Sequence, residues 1–240
     1  VCLLVSLVRA LALSSHQPDV VELAVLELDE QALAERLARC VRIATISSES
    51  PSAEDARAFE ELHALLAELF PRCFELLAPR VVGAGSLLFE WPGRDSEAEP
   101  LLLLAHLDVV PTEEPERWPH PPFSGVVEGG YVWGRGALDD KGGAIALLEA
   151  VEHLLARGVQ PAQRVVIALG HDEEGGGEEG AGAMAQLLRE RGEHFRFALD
   201  EGGFVTEGVV EISPAPVALV GVAEKGSLSL ELSAVGTGGH

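Results

Sequence analysis

Five consecutive apolar residues, Leu101-Leu102-Leu103-Leu104-Ala105, run directly into His106-Leu107-Asp108. A short unbroken apolar run of this kind reads as a strand buried on both faces, as in a parallel sheet. In such sheets the functional groups gather just past the carboxyl ends of the strands. Side chains alternate along an extended chain, so His106 and Asp108 project to the same side, where the carboxylate can orient the imidazole. One such pair is an ordinary surface feature, but the pattern recurs. Arg164-Val165-Val166-Ile167-Ala168-Leu169-Gly170 ends in His171-Asp172-Glu173-Glu174, and Phe195-Arg196-Phe197-Ala198-Leu199 ends in Asp200-Glu201-Gly202-Gly203. Strands that each deliver acids or an imidazole at one end assemble the oxygen and nitrogen donors a hard or borderline divalent cation needs.

A chain of 240 residues can bury a full core. Aliphatic residues dominate and aromatics are only 5%, which suits a sheet packed between helices better than a β-sandwich. The formal charge of −22 repels phosphate backbones, so nucleic acid is excluded as a partner, while the same field attracts divalent cations. Cys2, Cys40 and Cys73 show no metal-type spacing and imply no disulfide framework; Cys40 and Cys73 read as core thiols in helices.

Taken in order, the chain opens on an apolar run over residues 1–13 without an initiator Met, too short to span a bilayer as it stands. It reads as the end of a signal peptide or anchor, which favours a secreted or membrane-anchored protein, or else as an amphipathic helix. Helical spacing covers residues 29–43, and Ser52 is placed to cap a helix running to about Phe70, with His63 on its surface. Residues 86–91 read as a strand and 92–100 as an exposed acidic loop. The proline-rich segment 111–123 cannot be regular throughout and is placed to wall a pocket; its His120 is read as structural. Residues 131–133 form a short strand, and a helix spans 144–156, ended by Gly158 and Pro161. The glycine-rich stretch 134–143 is no phosphate loop. It lacks the Gly-Lys-Ser/Thr ending, and Asp139 and Asp140 stand where a phosphate needs donors. A further helix covers 181–191, and strand-like alternation returns at 217–222 and 227–235. The chain then stops at Gly236-Thr237-Gly238-Gly239-His240, which reads as an incomplete chain.

His106-Leu107-Asp108-Val109-Val110-Pro111, Gly134-Arg135-Gly136-Ala137-Leu138-Asp139-Asp140-Lys141-Gly142, Gly170-His171-Asp172-Glu173-Glu174 and Asp200-Glu201-Gly202-Gly203 follow one another in the order and approximate spacing of the di-zinc exopeptidases. Residues 30–240 resemble this family, the M-twenty metallopeptidases, which includes aminoacylase, acetylornithine deacetylase, succinyl-diaminopimelate desuccinylase and vacuolar carboxypeptidase S. The Trp118-Pro119-His120-Pro121-Pro122-Phe123 segment and Ala223-Glu224-Lys225-Gly226-Ser227 are most similar to the carboxypeptidase S branch, with its secreted N-acyl amino acid hydrolases. The resemblance implies an α/β fold with a mostly parallel sheet flanked by helices. It implies an N-terminal segment over 1–28, a catalytic domain over 29–216, and the start of an inserted α+β lid or dimerisation domain from 217 to 240. It further implies that His106 and Asp200 hold one zinc and Glu174 the other, with Asp139 bridging. By the same resemblance Asp108 is expected to orient His106 and Glu173 to be the general base, and His240 resembles a lid histidine that reaches a partner's active site to stabilise the oxyanion. Two zinc ions are expected, with cobalt or manganese as alternatives. The implied reaction is hydrolysis of an amide bond next to a free carboxylate, on small peptides or N-acyl amino acids, in a homodimer formed through the lid. An aminopeptidase or dipeptidase on the same scaffold, or a non-catalytic metal-binding module, are the competing readings. The family's last zinc-ligand histidine lies beyond these residues, so this stretch alone is expected to be inactive or nearly so.

Overall fold

The computed structural model describes residues 2–12, 28–47, 53–203, 205–209, 215–223, 230–233 and 236. Two compact units emerge, Val1–Glu30 and Gln31–His240. Within the first, Cys2–Leu11 forms helix α1. No helix among the described residues is long and apolar enough to cross a membrane.

The larger unit is built on a five-stranded sheet. Its strands are β1 (Arg80–Val82), β2 (Ser86–Trp91), β3 (Leu101–His106), β6 (Val165–Gly170) and β7 (Phe197–Leu199), in the order β1-β2-β6-β3-β7. The last three strands of that order run parallel, and β1 and β2 join antiparallel at one side. The expected mostly parallel α/β architecture is therefore present. Helix α5 (Lys141–Ala156) carries the chain from β3 to β6, and α6 (Ala181–Glu190) carries it from β6 to β7. The two-residue period sorts the strand side chains onto two faces. Leu87, Phe89, Trp91, Ala105, Val165, Ile167 and Leu169 enter the larger core with α5 and with Phe59, Leu62 and Leu66 of α3 (Ala53–Leu69). Leu88, Val166 and Ala168 face the other way, onto Met184 and Leu188 of α6.

Two further helices and a hairpin complete the frame. Helix α2 (Glu30–Val41) buries Ala38, Cys40 and Val41 and pairs its Arg36 with Glu149 of α5. Helix α4 (Pro71–Leu77) begins with its proline at the first turn, where the missing N–H costs nothing, and buries Cys73. The segment 126–133 folds into a hairpin of β4 (Val126–Glu128) and β5 (Tyr131–Trp133). Gly129 and Gly130 both take positive φ at its tip, as a two-residue hairpin turn demands.

Several expectations need correction. Strand β3 is not buried on both faces: Leu101 to Leu104 are only half-buried, because β7 beside them is an exposed edge strand. Helix α5 starts at Lys141 rather than 144, since Asp140 caps it by accepting the Gly143 N–H at 3.2 Å. His63 does not sit free on a surface; it is half-buried, with Nε2 2.9 Å from the Gly85 carbonyl. The strand expected over 217–222 shrinks to β9 (Val217–Ala218), paired antiparallel with β8 (Val205–Thr206), and residues 230–233 carry no strand. The Ser52 cap, residues 224–229 and His240 lie outside the described residues.

Candidate metal centre

Parallel pairing sets His106, the last residue of β3, opposite Gly170, the last of β6. The loops leaving these two strands therefore start side by side. His106 is 2% exposed, and its two ring nitrogens face different partners. Nδ1 lies 3.0 Å from the Asp108 carbonyl and 3.3 Å from its carboxylate. Nε2 faces three acids among the described residues: Asp139 Oδ1 at 2.9 Å, Glu201 Oε2 at 3.4 Å and Glu173 Oε2 at 3.8 Å. Burial by itself pulls the imidazole pKa down. The hydrogen bond and charge of Asp108, the charge of Glu201 and the bond to Asp139 outweigh it, and the pKa rises from 6.5 to about 10. The ring is thus placed where a positive charge is strongly favoured at Nε2.

Asp108, fully buried, ties the two strand ends together. Its Oδ1 accepts the Glu173 N–H at 3.1 Å and its Oδ2 the Glu174 N–H at 3.0 Å, at the head of a short 3-10 turn, Glu173–Gly175. Burial favours the neutral acid, but the His106 hydrogen bond, the Glu174 amide and the His106 charge prevail and hold the carboxyl below its usual range. The Val110 N–H reaches the Glu174 carboxylate at 3.3 Å. Burial, reinforced by the charge of Asp139, raises the Glu174 pKa.

The third corner comes from the turn before α5. Asp139 and Asp140 are joined by a cis peptide bond. Asp139 faces His106, while Asp140 accepts the His106 N–H at 3.3 Å and caps α5. Burial pushes the Asp140 carboxyl up to about 6, against the pull of the His106 charge. The helix N-terminus is therefore closed by its own aspartate, in keeping with the exclusion of a phosphate loop. Lys141, next in sequence, is buried at 1% exposure, and burial lowers its ammonium pKa to about 8.

Two sets of donor atoms lie within 4.8 Å of one another: His106 with Asp139 and Glu174, and His106 with Glu173 and Glu201. Of the residues singled out in the sequence, His106, Asp108, Asp139, Glu173 and Glu174 are gathered here. Asp200 belongs to neither set, and its Oδ1 accepts the neighbouring Glu201 N–H at 2.9 Å. Burial, partly offset by the His106 charge, lifts Glu201 to about 7. The sequence assigned no separate role to Glu201, Asp140 or Lys141, though each stands in one of its motifs. Asp140 alone left a local signal, a capping residue ahead of an apolar-periodic helix. His120 is occupied elsewhere, 3.1 Å from Glu128 and against the Trp133 ring.

Residues 102–233 match Peptidase family M20/M25/M40, more than half of the chain. The chain belongs to Peptidase family M20/M25/M40. The matched stretch of this M20/M25/M40 member takes in every residue of the two donor sets. Over 216 residues it is 42% identical to the N-fatty-acyl-amino acid synthase/hydrolase PM20D1 of Xenopus tropicalis, covering 89% of this chain and 42% of that protein. Carboxypeptidase S of Saccharomyces cerevisiae is 39% identical over 218 residues, covering 86% of this chain and 37% of that protein. The chain thus spans less than half the length of these relatives. Human carnosine dipeptidase 1 shares the fold, with a TM-score of 0.58 at 20% identity, covering 74% of this chain and 40% of that structure. Family M20/M25/M40 implies a divalent cation, and the donor set fits one: an imidazole whose far nitrogen is held by Asp108, aimed into carboxylates.

Proposed function

We propose that this chain carries the metal-binding part of a zinc-dependent hydrolase that cleaves amide bonds next to a free carboxylate, in small peptides or N-acyl amino acids. The supporting observation is the convergence of His106 from the end of β3, Asp139 from the turn before α5 and Glu174 from the turn after β6, with Asp108 behind the imidazole. The relatives named above act on such substrates by their names, which supports the substrate class.

In this reading His106, Asp139 and Glu174 hold zinc, with Asp200 or Glu201 completing the set. Bound zinc supplies Lewis acidity, acidifying water and polarising a scissile carbonyl. Asp108 fixes the tautomer of His106 by engaging Nδ1, which leaves the Nε2 lone pair for the cation. Glu173, whose backbone Asp108 holds but whose side chain is half exposed, takes a proton from the attacking water at a carboxylate oxygen and returns it to the leaving amine. Residues from 217 onward begin the lid.

The test has two arms. Equilibrium dialysis of the purified chain against zinc should show binding that His106→Ala abolishes; equal uptake by the variant would overturn the metal assignment. Protein carrying this chain joined to the C-terminal half of a relative should hydrolyse N-acyl amino acids, and Glu173→Gln should lower turnover by roughly 10²–10⁴-fold. A preference for dipeptides with a free amino end would instead select the aminopeptidase chemistry.

A further inference from the structure

Lys141 lies in the first turn of α5, two residues from Asp139, yet it is only 1% exposed. Its ammonium donates to the Cys40 carbonyl at 3.1 Å and the Ile43 carbonyl at 2.5 Å, at the C-terminal end of α2. That end of a helix carries the negative pole of the helix dipole and favours a cation. The chain leaving α2 then runs along the metal centre. Thr45, fully buried, donates its hydroxyl to the Leu107 carbonyl at 2.6 Å. The Val109 N–H donates to Thr45 at 3.0 Å, and the Ser47 N–H donates to Val109 at 2.9 Å. Ile46 and Val109 thereby form a parallel bridge, and the Ser47 side chain hydrogen-bonds Asp108. The lysine stem also backs the glycine turn: a Cβ on Gly136 would stand 3.3 Å from Lys141 Cδ and 2.6 Å from Val109.

We propose that Lys141 is a positioning residue, a strut that sets the Asp139 corner of the metal centre against the His106–Asp108 corner through Cys40, Ile43 and Thr45. Burying an ammonium is costly, and an apolar side chain of the same length would pack here at less cost. What only lysine supplies is a charged donor that reaches two carbonyls at once. It joins the segment bearing Asp139 to the segment that holds residues 107–109 in place. The inference rests on the metal reading given above.

The test compares Lys141→Met and Thr45→Val with the unaltered chain, and uses Leu148→Ala in α5 as a control for stability loss. Zinc affinity is read by calorimetry at temperatures where each variant is folded, and amide exchange at Val109 and Ser47 is read without metal. Both strut variants should speed exchange at those amides and weaken zinc binding roughly 10–100-fold, the usual cost of losing a residue that orients ligands. Thr45→Ser, which keeps the hydroxyl, should restore affinity, and Leu148→Ala should lower the melting temperature with zinc affinity unchanged. If Lys141→Met does not fold, Thr45→Val and Thr45→Ser carry the test. Affinities within about twofold of the unaltered chain, or unchanged exchange, overturn the strut. Faster exchange in the variants of a chain that takes up no zinc overturns the metal reading instead.

Discussion

Asp108 governs three other groups at once, the His106 ring and the backbones of Glu173 and Glu174, from a fully buried position. An asparagine there would turn an N–H₂ toward at least one of these donors. Asp108→Asn is therefore expected to cost about 2–4 kcal/mol, since buried charge-assisted bonds are lost and a donor is left unpaired. Urea unfolding measures this, and a loss below about 1 kcal/mol would deny Asp108 that role. The acids and the imidazole also give the metal-free chain a definite pH dependence. His106 is raised from 6.5 to about 10, so its contribution to stability is full below 6.5 and is lost as pH rises through 10. Asp140 and Glu201 are raised from 3.8 and 4.5 to about 6 and 7, so their contributions also fade with rising pH, through those values. Asp108, held low, works in the opposite sense and matters only on acidification below its ordinary 3.8. Unfolding free energy without metal should thus fall from about pH 5 to 8, above which Lys141, lowered to about 8, works in the opposite sense. A flat or rising profile over that window would contradict the arrangement around His106.

At the scale of elements, the loop between β6 and α6 is held by close packing against its own beginning. Asp172 accepts the Glu179 N–H at 2.8 Å through its carboxylate, and its carbonyl accepts the Gly175 and Gly177 amides. Ser86 Oγ lies 2.7 Å from His171 Nδ1 behind it. Gly180 closes the loop, and a Cβ there would meet Asp172 Oδ1 at 2.2 Å, Ser86 Oγ at 2.8 Å and His171 Nδ1 at 3.0 Å. Its φ is −97°, so the demand for glycine is steric rather than conformational. Gly180→Ala should lower stability by about 1–3 kcal/mol and loosen the turn that bears Glu173 and Glu174. Chemical denaturation checks the first effect and amide exchange at Glu173 and Glu174 the second; a neutral variant would show that the loop yields easily. The same crowding explains why α5 starts early. Gly142 and Gly143 read as loop, but a Cβ on Gly142 would meet the Ala137 carbonyl at 2.4 Å, and one on Gly143 the Asp140 carboxylate at 2.3 Å. These glycines serve close approach inside the first helical turn.

The whole molecule carries a net charge of −22 and gathers several carboxylates around one imidazole. Such a cluster repels itself, and a divalent cation relieves that repulsion only in the folded chain. Ligand binding to the native state alone adds about 2.7 kcal/mol at a hundredfold excess over Kd. For a chain of this length that is a melting-temperature rise of roughly 5–10 °C. Thermal unfolding with zinc and then with excess chelator measures it. No rise at saturating zinc, or a rise that chelator does not reverse, would count against a specific centre.

The chain's own letters were enough to locate β3, β6 and most of the helices, because apolar periodicity is a local property that survives in any fold burying it. They also placed His106, Asp139, Glu173 and Glu174 at the ends of those elements, where the structure gathers them. Tertiary packing alone decided the rest. No local signal says that β2 joins antiparallel beside β6 or that β7 forms an exposed edge, since strand order depends on which distant surfaces meet. Nor does any local signal show that Glu201 comes beside His106, or that Lys141 buries its charge under two carbonyls a hundred residues away in sequence. Those features are set by the register of one element against another, and register is a property of pairs of segments.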